Sequence, residues 1–348
     1  MFNLMHRLAG GQLLAAIAAL ALTIGGLFAF RSLPVDAFPD PSPSLVQVFT
    51  ETEGLSPEEV ERYVTYPIET AMSGLPKVEE IRSTSNFGLS VVNIYFEDGT
   101  DVYFARQVVG ERLGEAAEAI PQGFGTPKMG PISTGLGIIM YYRLVDETGK
   151  RSLVELREIA DWMIKYPLQS VEGVTEVLSL GGFEKQYQVR LDPDQLTSYD
   201  LSVNEVIDAL ESANRTAGAQ FIEIGAEQYT VRGVGLAKTL DDLRETPVKT
   251  VNGRPVRVAD LGEVAIGGGV RQGLATANGN GETVAGLVLK LYGTNTSEVI
   301  EDAQARFDEI NASLPEGVKA VPYYDQGTLV QKAAATVTTA LWQGALLV

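Results

Sequence analysis

Chemistry in this 348-residue chain would have to come from carboxylates, hydroxyls, lysines and thioethers, because the sequence contains no cysteine and a single histidine, His6. The missing thiols remove thiolate zinc sites, iron–sulfur clusters, disulfide frameworks and cysteine nucleophiles together. One imidazole near the N-terminus leaves Ser-His-Asp triads and most metallohydrolase centres excluded. Methionine could bind a soft monovalent metal, but Met1, Met5, Met72, Met129, Met140 and Met163 are scattered and never paired at helical or strand spacing. Met72 and Met163 occupy core-facing positions of predicted helices. The carboxylate runs, Glu58-Glu59-Glu61, Glu79-Glu80 and Asp241-Asp242, lie where a solvated helix start or an exposed strand end accounts for them. Gly181-Gly182 and Gly267-Gly268-Gly269 lack the strand-turn-helix setting and the Lys-Ser/Thr pair of a phosphate loop. No nucleophile, acid–base pair or cofactor site is nominated.

A formal charge of −18, from 45 acidic against 27 basic residues, repels phosphate backbones, so no nucleic-acid partner is expected. Leu8 to Phe30 is a charge-free run of a length that, as a helix, measures about 34 Å against a hydrocarbon core of ~30 Å. It is longer than a signal-peptide apolar region and has no small-x-small cleavage site before Arg31, which predicts an uncleaved anchor. Arg7 precedes it, and every acidic residue lies beyond it, between Asp36 and Asp325. This arrangement predicts a cytoplasmic N-terminus and a translocated acidic body. After Lys332 the residues to Val348 are again free of charge and read as a second membrane helix just starting. The chain is therefore expected to be a fragment: one span, a large extramembrane loop, and the beginning of another span.

Within the loop, strands and helices alternate. Ser56-Pro57-Glu58-Glu59 supplies an N-cap, a proline in the first turn and a reciprocal glutamate, which start a helix running to Met72. Its buried stripe is Val60, Val64, Ile68 and Met72, and Pro67 lies inside the helix, where it deletes one backbone hydrogen bond and is expected to kink it. With a β-type run from Leu45 to Thr50 ahead of this helix, strands at 78–83 and 91–96, a helix from Asp101 to Pro121 and a short strand before Ile132 complete a β-α-β-β-α-β order, the split βαβ sandwich of ferredoxin-like folds. A second set begins with a strand at 138–145, a helix capped by Ser152 and Glu155, and a strand at 174–180. It resumes with a hairpin over 275–291, a helix at 297–314 and a strand at 318–323. Between the halves, residues 185 to 270 hold a helix capped by Ser202 and Glu205 and a hairpin turning at Asn252-Gly253, an inserted α+β subdomain.

Several strings resemble the resistance-nodulation-division efflux family. They are Leu33-Pro34-Val35-Asp36-Ala37-Phe38-Pro39-Asp40, Val64-Thr65-Tyr66-Pro67-Ile68-Glu69 and the stretch from Glu80 to Ser90. Phe96 to Gln107, Gly130 to Gly137, and Lys185-Gln186-Tyr187-Gln188-Val189 are similar to its heavy-metal branch, the cobalt-zinc-cadmium and copper-silver exporters. The resemblance covers the whole chain, with its motifs in order. It implies a first transmembrane helix at 8–31, a first porter subdomain at 37–134, and a discontinuous second porter subdomain at 135–184 and 271–328. A docking subdomain at 185–270 and a truncated second transmembrane helix at 333–348 complete the α+β architecture.

The resemblance further implies a proton-driven inner-membrane exporter of metal cations, a transporter and not an enzyme. It would work as a homotrimer with a periplasmic adaptor and an outer-membrane channel, with the bulk of this chain periplasmic. Proton-relay charges of the family lie on later helices and carry over to no residue here. Some divalent-metal members have a glutamate directly after the Thr-Gly-Leu-Gly motif, where this chain has Ile138. Glu176, at the start of its strand, is then the carboxylate that remains as a metal-ligand candidate. Tyr324-Asp325-Gln326 departs from a family pattern with arginine third, and nothing follows from it. The alternatives are the drug-exporting branch of the family and a singly anchored periplasmic binding or scaffold protein.

Overall fold

The computed structural model describes residues 15, 17–26, 28–29, 42–52, 54–215, 217–224, 227–233, 235–251, 253–271, 273–279 and 281–347. His6, the Leu33–Asp40 motif and the first residues of the apolar run, 8–14, lie outside the described residues, as do Asn252 and Val348. The chain divides into two compact units: residues up to Gly149 with Ala160–Leu180 and everything from Ala285, and Lys150–Ile159 with Gly181–Val284.

In the first unit, β1 (Leu45–Glu51) leads to α1, which is α-helical over Pro57–Val60, π-helical over Glu61–Thr65 and α-helical again over Tyr66–Met72. Ser56 and Glu59 form the reciprocal cap: the Glu59 carboxylate accepts from the Ser56 backbone N–H at 2.9 Å, and the Ser56 hydroxyl accepts from the Glu59 N–H at 3.4 Å. The helix ends before Gly74, whose φ of +82° suits a residue without a Cβ. Strands β2 (Val78–Asn86) and β3 (Leu89–Phe96) form a hairpin, α2 (Val102–Ala119) is capped by Asp101, and β4 (Lys128–Met129) pairs with β1. The sheet order β2-β3-β1-β4 is that of a split βαβ sandwich. Alternate residues of β1 and β3, including Val48 and Ile94, meet Val64, Ile68 and Met72 of α1 and Val109 of α2 in one core. Each such side chain contributes roughly 1.5–3 kcal/mol of burial.

The same unit carries a second sheet. Strand β5 (Ile138–Asp146) is followed by α3, whose first α-helical segment, Leu153–Ile159, is counted in the second unit while its π-helical Ala160–Lys165 and α-helical Tyr166–Gln169 belong to the first, and then by β6 (Val174–Gly181).

The second unit is built mainly from the residues that come next. It contains β7 (Lys185–Leu191), α4 (Pro193–Ser198), α5 (Val203–Ala213), β8 (Ala217–Ile224), β9 (Glu227–Gly233) and α6 (Leu240–Arg244). Then come β10 (Pro247–Val251), β11 (Arg254–Arg257), α7 (Val258–Leu261), β12 (Gly262–Gly268) and β13 (Ala275–Thr276). The unit has three two-stranded ribbons, β7 with β12, β8 with β9, and β10 with β11, and a small core of Leu196, Leu201, Val206, Val256 and Leu261. Ser202 and Glu205 form the predicted cap of α5.

Strand β14 (Glu282–Lys290), α8 (Thr296–Ser313) and β15 (Val318–Asp325) close the second sheet. Strand β5 lies between β14 and β15, antiparallel to both, and β6 pairs with β14. The strand sequence β6-β14-β5-β15 repeats the connectivity of the first sheet. Phe307 of α8 packs edge-on against buried Tyr142, with ring centroids 5.3 Å apart.

The chain continues into α9 (Gln326–Leu347), whose outer residues from Lys332 onward are exposed, Leu341 and Trp342 among them. Among the described residues no helix is long and apolar enough to cross a membrane; α9 itself includes Lys332.

Candidate functional site: two tyrosine-proline helices

Two helices of similar construction face the two sheets of the first unit. Each has a π-turn immediately before a Tyr-Pro pair, Tyr66-Pro67 in α1 and Tyr166-Pro167 in α3. Proline has no N–H and its ring collides with the carbonyl four residues back, so an α-helix cannot run through it unchanged. The π-turn supplies one extra residue of slack: the Tyr66 N–H donates to the Glu61 carbonyl, five residues back. Pro67 thus follows directly on a local widening of the helix. The second pair is not singled out by the sequence reading above, although the repeated Tyr-Pro and the apolar residue two positions before each tyrosine, Val64 and Ile164, are visible signals.

The outer faces of these helices are aromatic. Tyr66 is 64% exposed, Tyr166 54% and Trp162 67%. Tyr63 meets Phe124 edge-on at 5.6 Å, and Trp162 lies 5.6 Å from Tyr166. Their inner faces are tied to the sheets by polar groups. The Thr65 hydroxyl is 2.8 Å from that of Ser85 on β2 and 2.7 Å from that of Ser90 on β3, both serines belonging to the Glu80–Ser90 motif. Thr65 and Ser90 are fully buried, where an unmade hydrogen bond would cost about 1–3 kcal/mol.

Glu176, the sequence-derived ligand candidate, lies on β6 below α3. Its carboxylate accepts from Gln169 at 2.6 Å and from the Val177 backbone N–H at 3.2 Å, and it pairs with Lys165 at 3.4 Å. All three contacts engage Oε1. Ile138 opens β5 opposite Leu289, an apolar pairing. Among the described residues Met72 and Met140 are buried and Met129 and Met163 half-buried, so these methionines are not brought together on an accessible surface. Among the described residues no group of three or more His, Asp or Glu side chains is placed to hold a metal ion.

The remaining motif residues are positioned by close packing. Arg106 of α2 donates from Nη1 to the Gly130 carbonyl at 2.7 Å, and burial pulls its pKa down while leaving it charged. Gly137, at the end of the Gly130–Gly137 string, accepts from the Lys290 backbone N–H at 2.7 Å. A Cβ at Gly137 would lie 2.2 Å from the Ser133 hydroxyl, which is why glycine stands there. In the second unit a cleft of about 640 Å³ is lined by Tyr187, Leu210, Asn214, Arg215 and Lys238. It holds no nucleophile–base pair.

The profile of the AcrB/AcrD/AcrF family matches residues 10–348, practically the whole chain. This chain belongs to that family. It is 45% identical over 342 residues to the cobalt-zinc-cadmium resistance protein CzcA of Cupriavidus metallidurans, covering 96% of this chain and 32% of that protein. It is 40% identical over 331 residues to the cation efflux system protein CusA of Escherichia coli K12, covering 95% of this chain and again 32% of the relative. Among solved structures, a heavy metal efflux pump superposes with a TM-score of 0.88 at 35% identity, over 96% of this chain and 33% of the pump. The chain thus spans about a third of the length of the relatives it matches.

Proposed function

We propose that this chain is the N-terminal part of a proton-driven inner-membrane pump that exports heavy-metal cations through a tripartite envelope complex. The observation that carries the reading is the 45% identity to a cobalt-zinc-cadmium resistance protein across nearly the entire chain, loops and sheets alike. The packed sandwiches suit a transporter that works by moving rigid bodies. In this reading the two sandwiches are porter subdomains, the second unit contains the docking subdomain, and the first apolar run and α9 are membrane helices. The hydroxyls of Thr336, Thr338 and Thr339 in α9 donate to carbonyls four residues back, which removes free donors from a helix entering lipid. A homotrimer, a periplasmic adaptor and an outer-membrane channel are the partners this function requires.

The test is growth of a pump-deleted strain carrying the complete reading frame, scored across copper, silver, zinc, cobalt and cadmium. Restored growth on at least one metal is expected. Resistance to drugs with no effect on any metal would replace this reading by the drug-exporting one. A reporter fused after Asp40 should be active only if it functions in the periplasm; a cytoplasmic signal would overturn the orientation.

A further inference from the structure

The residue that precedes each Tyr-Pro pair ties the end of its π-turn to the strand that follows. In α1 that residue is Thr65, bonded to Ser85 of β2; in α3 it is Lys165, paired with Glu176 of β6. The chemistry of the two fastenings is opposite. Thr65 makes neutral hydroxyl bonds, two of them, and is 1% exposed. Lys165 and Glu176 form an ion pair whose side chains are 29% and 26% exposed, with Gln169 holding the carboxylate from one turn further along. A π-turn has weaker helical hydrogen bonding than the α-helix on either side, so the helix there depends more on its side-chain attachment.

We infer that Thr65 and Lys165 are equivalent positioning residues, and that Lys165–Glu176 is an electrostatic tether of the second Tyr-Pro helix, with Thr65–Ser85–Ser90 as a charge-independent tether of the first. Glu176 is then a positioning group for α3 and not a metal ligand. The setting of α3 on β6 responds to ionic strength and to charge reversal, because a partly exposed pair is screened by salt, whereas buried hydroxyls are not. The consequence for export rests on the proposed pump function; the tether itself does not.

Hydrogen exchange of the complete protein in detergent, at low and high salt, separates the two. The expected result is that exchange through Ala160–Gln169 rises roughly two- to five-fold at high salt, the range of a partly exposed pair, while Glu61–Met72 is unchanged. Lys165→Met and Glu176→Gln should each raise exchange in α3 at low salt and abolish its salt dependence. The reversed pair Lys165→Glu with Glu176→Lys should bring both back toward the parent. Thr65→Val should raise exchange in α1 alone, at every salt concentration. Salt-independent exchange in α3, or failure of the reversed pair to recover any of the loss, would overturn the tether. Tight binding of zinc, cobalt or copper(I) that disappears in Glu176→Gln would also overturn it, by making Glu176 a ligand. Growth on metals is scored separately, so a pump that fails to export leaves the exchange result readable.

Discussion

At the residue scale, the helix starts are set by short polar reciprocities. Hydrogen bonds from the Ser56 backbone and hydroxyl hold the Glu59 carboxyl below its ordinary pKa, and Ser202 does the same for Glu205. Bonds from the Lys238 and Thr239 backbone lower Asp242 likewise. A carboxyl with a lower pKa in the folded state adds stability above its unfolded value and loses it as the pH falls through the folded one. The first turns of α1, α5 and α6 should therefore fray below the ordinary carboxylate range and not on the alkaline side, as hydrogen exchange at those amides would register. Ser56→Ala removes the cap and should cost about 1 kcal/mol, read as a lower denaturation midpoint. Gly181 and Gly182 pose a different constraint. Both have positive φ, and a Cβ at Gly181 would lie 2.6 Å from the Thr283 carbonyl. Gly181→Ala should cost about 1–3 kcal/mol, and a variant as stable as the parent would show that the loop can move aside.

At the element scale, the π-turns are the feature most specific to this molecule. Pro67 and Pro167 remove the same backbone donor in two helices, and the chain answers both times with a wider turn one residue earlier. Pro67→Ala restores an N–H and should let α1 relax toward a regular α-helix. That change would rotate Glu61 to Thr65 against the core that holds Val64 and Ile68. The expected outcome is a loss of metal export in the complete pump that exceeds any loss of folded protein at the membrane. Equal losses of both would confine Pro67 to a folding role.

At the scale of the whole molecule, the two sheets of the first unit share one connectivity, and each carries one Tyr-Pro helix. The second unit has two-stranded ribbons and a core far smaller than that of the first sandwich. Small cores bury less surface per residue, so the second unit should be the earlier to open in denaturant, with tryptic nicks concentrated between Gly181 and Val284. No acidic group of this chain lies in its apolar ends, and Glu176 is occupied by Lys165 and Gln169. Calorimetric titration of residues 37–328 with zinc, cobalt or copper(I) should accordingly show only weak, surface-type binding. A stoichiometric micromolar site would place a metal station in this chain.

What the sequence determined by itself was whatever depends on neighbours a few residues away. The caps at Ser56, Ser152 and Ser202, the buried stripe Val60-Val64-Ile68-Met72 and the turn at Gly74 all follow from local hydrogen bonding and helical period. The alternation of strands and helices was legible for the same reason. Strand β12 was not, because Gly262, Gly267 and Gly268 have no side chains to show an alternating pattern; its identity comes from pairing with β7, some seventy residues earlier. Strand β8 was missed too, since its pairing with β9 supplies what its own short run does not announce. The tertiary structure alone decided that Thr65 meets Ser85 and Ser90, that Glu176 meets Lys165 and Gln169, and that Arg106 reaches Gly130. Each of those contacts joins different elements, and the direction of a side chain toward a distant partner is fixed only when the elements have packed.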